Sequence, residues 1–120
     1  MAYFAKINEE NVVQQVITVP NYICGKSYPK SEINGIKYLN KMGYGTNWLQ
    51  VWSDGGIRKK FPSKGFIYKE EWNQFIPPKP YPSWILDVET HKWVAPVPYP
   101  NDGYYYEWDE DILNWVRIDD

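Results

Sequence analysis

The sequence predicts an α+β fold that is mainly β: an N-terminal hairpin with one short helix, followed by three tandem β-hairpins joined by polyproline struts. Two observations lead to this prediction. Residues 12–19 (VVQQVITV) are rich in β-branched side chains, which favour strands. A repeat pattern then occurs three times after residue 65, with the phrase PYP twice between its copies. We therefore expect an N-terminal part at residues 1–64 and a hairpin arm at residues 65–120.

The N-terminal part is expected to begin with a hairpin. Tyr3, Ala5 and Ile7 alternate with Phe4 and Lys6, the sequence NEEN supplies a turn, and residues 12–19 return as the second strand. Further on, NWLQVWS (47–53) and IRKKF (57–61) are predicted strands on either side of the turn sequence Asp54-Gly55-Gly56.

One helix is predicted over residues 32–42. Ser31 stands at the expected N-cap position and Gly43 at the C′ position. Gly35 inside the helix costs about 1 kcal/mol relative to Ala. The apolar face is expected to consist of Ile33, Ile36, Leu39 and Met42.

Each copy of the repeat reads as a β-hairpin. The copies cover residues 66–76, 84–94 and 106–116. Each begins with an aromatic residue, has a bulky residue two positions later, and ends with an aromatic and a β-branched residue. Folding back at the polar middle is predicted to produce two cross-strand pairs, Leu86 with Trp93 and Trp108 with Trp115.

The turns and linkers of the arm follow from local chemistry. The carboxylates of Asp87 and Asp109 are expected to accept backbone N–H groups two residues later. The first copy has Lys69 at this position, so a looser turn is predicted there. The linkers, residues 77–83 and 95–105, are rich in proline, which loses little entropy on ordering. They are expected to be stiff spacers that fix the positions of the hairpins.

Composition and charge narrow the function classes. Aromatic residues make up 18% of the chain, and such residues are enriched at protein interfaces. Residues 101–120 hold one basic and seven acidic side chains, a net charge of −6. This end is either a solvated surface or a docking site for a basic partner, including another copy of the chain. No membrane span or signal peptide is read, so no membrane partner is expected.

No group of residues predicts catalysis, and we expect no enzyme activity, metal or cofactor. His91, the only histidine, falls in a predicted turn, and Cys24, the only cysteine, is expected to be a small buried residue. Asp109-Glu110-Asp111 lacks the spacing of a calcium loop. The run RKKF (58–61) is expected to be an exposed strand face, and its three charges are a weak footprint for nucleic acid.

The aromatic residues of the arm are the candidate functional residues. Buried aromatic side chains dominate the energetics of protein interfaces. Exposed rings could instead stack on saccharides. The predicted interface anchors are Phe75, Tyr81, Trp84, Trp93, Tyr99, Trp108 and Trp115.

Residues 75–116, FIPPKPYPSWILDVETHKWVAPVPYPNDGYYYEWDEDILNWV, resemble the C-terminal part of a family of small uncharacterised proteins. These are proteins of marine tailed phages of the cyanobacterial type, with the phrase FxPPxPYPSWxLDxxTxxWxPPxPYPxDGxxYxWDExxxxW. The segments MAYFAKINEENVVQQVI and TNWLQV are also similar to them. The resemblance implies a phage gene product associated with the virion.

We therefore expect a virion structural or accessory protein, made in the host cytoplasm, whose arm docks on capsid or tail proteins. Its expected partners are other phage structural proteins and copies of itself, and not nucleic acid. Two alternatives stay open. One is a glycan-binding adhesion module of the particle, and the other is a host-directed factor that binds a bacterial protein.

Overall fold

A computed structural model describes residues 1–118, and these residues confirm the α+β, mainly β fold class. Their nine strands form one three-stranded antiparallel sheet and three two-stranded hairpins, accompanied by two α-helices. The chain divides into two compact units, Met1–Pro78 and Lys79–Asp120. Asp119 and Asp120, which belong to the acidic end, lie outside the described residues.

The predicted N-terminal hairpin is confirmed, and it forms part of a larger sheet. Strand β1 (Ala2–Ile7) pairs antiparallel with β2 (Val13–Val19) along one edge. Along its other edge it pairs with β3 (Trp48–Val51), the strand predicted at NWLQVWS, so the strand order is β2-β1-β3. The central strand β1 is therefore covered on both edges.

The sheet of the N-terminal unit is packed on both faces. The cluster on the face toward the helices consists of Ala2, Phe4, Val19, Cys24, Leu39 and Trp48. The cluster on the opposite face consists of Ala5, Val13, Val51 and Phe75. Because neighbouring residues of a strand point to opposite faces, Phe4 and Ala5 contribute to different clusters.

The helix α2 (Lys30–Lys41) is the predicted one, but Ser31 is not its N-cap. The N-cap residue is Pro29, which provides no capping side chain. Ser31 is buried inside the first turn, where its Oγ donates a hydrogen bond to Oε1 of Gln50 at 2.7 Å. The short helix α1 (Asn21–Cys24) was not predicted.

The buried face of α2 agrees with the prediction at Leu39 and Ile36, which pack in the core, but not at Ile33 and Met42. Gly35 and Leu39 are buried, whereas Ile33 and Met42 are about half exposed. A Cβ atom on Gly35 would lie 2.1 Å from Cζ of Phe4. The helix thus approaches the sheet most closely at its smallest residue, Gly35, which lies against the ring of Phe4.

The C-terminus of α2 follows the prediction. Gly43 stands at C′ with a φ of 90°, a backbone conformation that favours glycine. Its N–H donates to the carbonyl of Asn40 at 3.0 Å, and the N–H of Tyr44 donates to the carbonyl of Leu39 at 2.9 Å. These two bonds form a Schellman motif, which satisfies carbonyl groups at the helix end.

The predicted strand at IRKKF is wrong. Gly56–Arg58 form a 3₁₀-helix, and only 4% of Arg58 is exposed. Its guanidinium pairs with the carboxylate of Glu32 and donates to the carbonyl of Gln50 at 2.7 Å and to Oδ1 of Asn73 at 3.0 Å. Buried charges need such partners, which local sequence cannot reveal because they come from three different elements.

Aromatic rings complete the surroundings of Arg58. The ring centroids of Tyr28, Trp52 and Tyr68 lie 5.9–6.0 Å from its guanidinium carbon. Arg58 is therefore a structural residue of the N-terminal unit. Of the predicted basic run, Lys59 and Lys60 are exposed, so the electrostatic footprint for nucleic acid is weaker than the sequence suggested.

The three predicted hairpins are confirmed, each as a separate two-stranded sheet. Leu86 pairs with Trp93, and Trp108 pairs with Trp115, as predicted. The strands are β4 (Ile67–Lys69) and β5 (Gln74–Ile76), β6 (Ile85–Asp87) and β7 (Lys92–Val94), β8 (Tyr106–Asp109) and β9 (Asn114–Arg117).

All three hairpins have four-residue loops with the same backbone feature. The last loop residue has a positive φ in each copy: 48° at Asn73, 60° at His91 and 53° at Leu113. Asn tolerates this left-handed conformation, whereas Leu is strained there. The repeat is thus a repeat of backbone geometry as well as of sequence.

The predicted carboxylate bonds in the second and third loops are confirmed. Oδ1 of Asp87 accepts the N–H of Glu89, and Oδ1 of Asp109 accepts the N–H of Asp111, both at 2.9 Å. The first loop has a 3₁₀-helix at Glu70–Trp72 instead of the looser turn that was predicted.

The boundary between the units lies after Pro78 and not at residue 64. The first hairpin belongs to the N-terminal unit, because Val12 forms a β-bridge with Ile67 and Phe75 lies in the core. The linkers are also not straight rods. The first ends in a turn in which the N–H of Trp84 donates to the carbonyl of Tyr81 at 3.1 Å, and the second bends at residues 96–97 and 102–103.

Candidate functional site

The C-terminal unit is built around three tryptophans, which we call the indole cluster: Trp84, Trp108 and Trp115. The ring centroids of Trp108 and Trp115 lie 5.2 Å apart, and that of Trp84 lies 6.0 Å from each of them. The rings meet edge to face, the arrangement favoured by aromatic quadrupoles. Two tyrosines extend the cluster, Tyr81 against Trp84 at 5.5 Å and Tyr99 against Trp115 at 4.9 Å.

A single carboxylate ties the first linker to the third hairpin. Oε1 of Glu110 accepts the indole N–H of Trp108 at 2.8 Å and the hydroxyl of Ser83 at 2.7 Å, and Oε2 accepts the backbone N–H of Ser83 at 3.1 Å. The Trp108 bond first, and the Ser83 hydroxyl second, hold the pKa of Glu110 below its ordinary value. The ionised carboxylate thus positions Ser83, and with it the neighbouring Trp84.

The second linker is tied down in the same unit. The indole N–H of Trp115 donates to the carbonyl of Val97 at 2.8 Å. The hydroxyl of Tyr99 accepts the backbone N–H of Tyr106 at 2.9 Å, and the hydroxyl of Tyr106 donates to Oδ2 of Asp102 at 2.6 Å. This last bond lowers the pKa of Asp102 and raises the pKa of Tyr106. Proline-rich linkers are therefore held by hydrogen bonds as well as by their own stiffness.

The third indole N–H differs from the other two. Nε1 of Trp84 is buried and has no hydrogen-bond partner within residues 1–118. A buried donor without a partner loses its hydration without compensation, which costs about 1–3 kcal/mol. The ring of Trp84 is therefore held by packing against other aromatic rings, those of Tyr81, Trp108 and Trp115.

The structure separates the predicted anchors into three groups. Phe75 is fully buried in the core of the N-terminal unit, so it is not available as an interface anchor. Trp84, Trp108 and Trp115 point at one another. The remaining predicted residues lie nearer the surface: Tyr81 and Tyr99 are 36% and 49% exposed, and half-buried Trp93 has Nζ of Lys79 6.0 Å from its ring.

Several strongly exposed apolar residues of this unit were not among the predicted anchors, and the sequence reasoning missed them. The alternation of side chains along a strand could have identified two of them. Ile85 and Val94, the second and eleventh residues of their repeat, lie on the opposite face of the hairpin from Leu86 and Trp93. The set, which we call the outer apolar residues, consists of Ile85, Val88, Val94, Tyr104, Tyr105 and Ile112, with exposed fractions between 46% and 77%.

The other residues considered for chemistry have ordinary surroundings. Cys24 is buried as expected, with Sγ near the carbonyls of Pro20 and Gly25. His91 occupies the left-handed position of the second hairpin loop. Within residues 1–118 there is no group of three or more His, Cys, Asp or Glu side chains arranged to hold a metal ion. No helix in this range has the length and apolar character needed to cross a membrane.

Comparison with protein-family models, curated proteins and solved structures found no match to this chain.

Proposed function

We propose that this chain is a structural or accessory component of a tailed-phage particle. It is made in the host cytoplasm and docks on a capsid or tail protein through its C-terminal unit, and it has no catalytic role. The resemblance of residues 75–116 to small phage proteins supports the phage assignment. The exposure of the outer apolar residues supports docking.

The observation that carries the docking proposal is where the apolar side chains point. The unit already has an internal cluster of tryptophans, yet Ile85, Val88, Tyr105 and Ile112 are 60–77% exposed. Apolar side chains that stay exposed in the isolated protein commonly mark a surface that another protein covers in a complex. Exposed acidic residues nearby, such as Asp102 and Glu107, favour a partner surface with basic side chains.

Mass spectrometry of purified phage particles tests the proposal, and it is expected to find the chain in them. A pair of variants then tests the docking unit. Tyr105→Asp places a charge on the C-terminal unit, and Tyr22→Asp makes the same change at a residue that is 89% exposed in the N-terminal unit. We expect Tyr105→Asp to reduce incorporation and Tyr22→Asp to leave it unchanged. Absence of the chain from particles, or equal incorporation of both variants, would contradict the proposal.

A glycan-binding role on the same particle is the second candidate. Tyr105 is 77% exposed, and Tyr104 is 51% exposed with its ring 3.5 Å from the guanidinium carbon of Arg117. Exposed aromatic rings of this kind can stack on the apolar faces of sugars. A glycan array with the full chain decides between the two roles, because binding that Tyr105→Ala abolishes would favour the glycan. If the chain is found only in infected cells and not in particles, a host-directed factor is favoured instead.

A further inference from the structure

The first hairpin shows what the outer edge of a repeat can bind. The N–H of Val13 donates to the carbonyl of Phe66, and the N–H of Tyr68 donates to the carbonyl of Asn11, both at 2.8 Å. Between these bonds Val12 forms a β-bridge with Ile67. Val12 and Val13 therefore add a short extended segment to β4, which Asn11 ends with a φ of 63°. The apolar pair of this hairpin is shielded from solvent, because Ile76 is 1% exposed and Ile67 is half-buried.

The second hairpin has the same register but no such cover. Ile85 pairs with Val94 at the positions of Ile67 and Ile76, and the two are 68% and 46% exposed. In this register the N–H of Leu86 points to the outer edge of β6. Outside its own hairpin it has no hydrogen-bond partner among residues 1–118. A depression of about 260 Å³ borders Ile85 and Val94.

We propose that the outer edge of β6 binds an extended segment of a partner protein by β-strand addition, as Val12 and Val13 do on β4. The inference rests on the proposed docking function and names the surface and the form of the partner. Main-chain bonds of the added strand supply affinity, and the side chains on its apolar face supply specificity. Covering Ile85 and Val94 removes exposed apolar area from water, which is favourable.

Charge defines the partner further. Asp87 is the last residue of β6, and Lys69 is the last residue of β4, so the two hairpins have opposite charges at this position. Asp87 lies on the same face of its hairpin as Ile85, because the two residues are two positions apart on one strand. In an antiparallel strand added to β6, the residue opposite Asp87 lies two positions before the residue opposite Ile85. Opposite charges at facing positions stabilise a strand pair and like charges destabilise it. The preferred segment therefore has Lys or Arg two residues before a β-branched residue.

A second copy of this chain fits less well. Its residues 11–13 already pair with its own first hairpin. Glu10 also stands two residues before Val12, so this segment would bring a like charge to Asp87. The third hairpin offers a different surface, because Glu107 stands at the position of Ile85.

A peptide titration of the full chain tests the inference. The probe is a synthetic peptide of residues 8–16 carrying Glu10→Lys, and the control is the unchanged peptide. In NMR spectra of the ¹⁵N-labelled chain, we expect the probe to shift the amide signals of β6 and to slow solvent exchange of the Leu86 amide. We expect the control to bind at least about 1.5- to 5-fold more weakly, which is the range for losing one favourable cross-strand pair, because repulsion between Glu10 and Asp87 adds to this loss.

Two surface variants complete the test. Ile85→Asp should weaken probe binding about tenfold or more, because an apolar contact is replaced by a charge. Ile112→Asp changes a residue of similar exposure in the third hairpin loop and should leave binding unchanged. Absence of probe binding, shifts confined to residues outside β6 and β7, or equal binding by the Ile85→Asp variant would overturn the inference. Shifts of β6 that grow with chain concentration alone would assign the edge to a second copy and overturn the choice of partner.

The titration and the particle assay can fail separately. A chain that enters particles but does not bind the probe keeps its proposed function and loses this inference. A chain that binds the probe at β6 but is missing from particles keeps the edge-binding property and loses the proposed role in the virion.

Discussion

Replacing Trp84 and Trp115 by Phe, one at a time, should have unequal effects on the stability of the C-terminal unit. Both side chains are half-buried, and each has three aromatic neighbours. The loss of ring contacts is therefore similar in the two variants. They differ in the indole N–H, which donates to Val97 in the case of Trp115 and has no partner in the case of Trp84.

The expected difference follows from these two groups. Trp115→Phe loses a hydrogen bond worth about 1 kcal/mol, whereas Trp84→Phe removes an unpaired buried donor that costs about 1–3 kcal/mol. The free energy of unfolding of Trp84→Phe should therefore exceed that of Trp115→Phe by about 2–4 kcal/mol. Amide hydrogen exchange of β8 and β9 in the full chain measures this difference. Equal stability of the two variants, or a lower stability of Trp84→Phe, would refute the argument.

Three further predictions concern other parts of the fold. Gly35→Ala should lower the free energy of unfolding by about 1–3 kcal/mol despite its better helix propensity, because the new Cβ meets Phe4; thermal melts compared with Lys37→Ala check this. Leu113→Gly should raise it by about 1 kcal/mol by relieving a left-handed backbone at φ 53°, and urea titration measures the gain. The C-terminal unit should lose stability in acid, because protonation of Glu110 weakens its bonds from Trp108 and Ser83. The loss should begin as the pH falls below 4.5, the ordinary pKa of a Glu side chain, and should be complete once the pH is below the lowered pKa of Glu110 in the folded chain. Glu110→Gln should remove this part of the pH dependence in denaturation curves between pH 6 and pH 3.

The hairpins were predictable because all their determinants are local. Each repeat carries the strand alternation, the polar loop and the closing aromatic residue within one short segment. The pairs Leu86–Trp93 and Trp108–Trp115 follow directly from this pattern. The carboxylate bond of Asp87 is also local, since donor and acceptor are two residues apart.

Burial of Arg58 was not predictable, because its partners Glu32, Gln50 and Asn73 come from distant parts of the chain. An arginine beside two lysines is expected to be exposed, and only the folded structure shows that the carboxylate of Glu32 lies next to it. Gly35 did carry a signal, since a glycine inside a helix costs about 1 kcal/mol and needs a packing reason. The reason is the close approach of Phe4.

The sequence predicted which residue types make up the candidate site, but not which way their side chains point. Tryptophans stood out in the sequence, yet the pattern does not say whether rings meet one another or a partner. The answer depends on the path of the linker, which the bonds between Ser83 and Glu110 set across 27 positions. Phe75 illustrates the same limit, because its hairpin packs in the N-terminal unit while the similar second hairpin belongs to the C-terminal one.

The central claim is that three tryptophans of the C-terminal unit, Trp84, Trp108 and Trp115, form its internal cluster, whereas the outer apolar residues are exposed. Nuclear Overhauser contacts between indole protons in the full chain test this claim most directly. We predict contacts from Trp84 to both Trp108 and Trp115, whose ring centroids lie 6.0 Å from its own. Indoles that show no contact with one another and are freely quenched by acrylamide would contradict it.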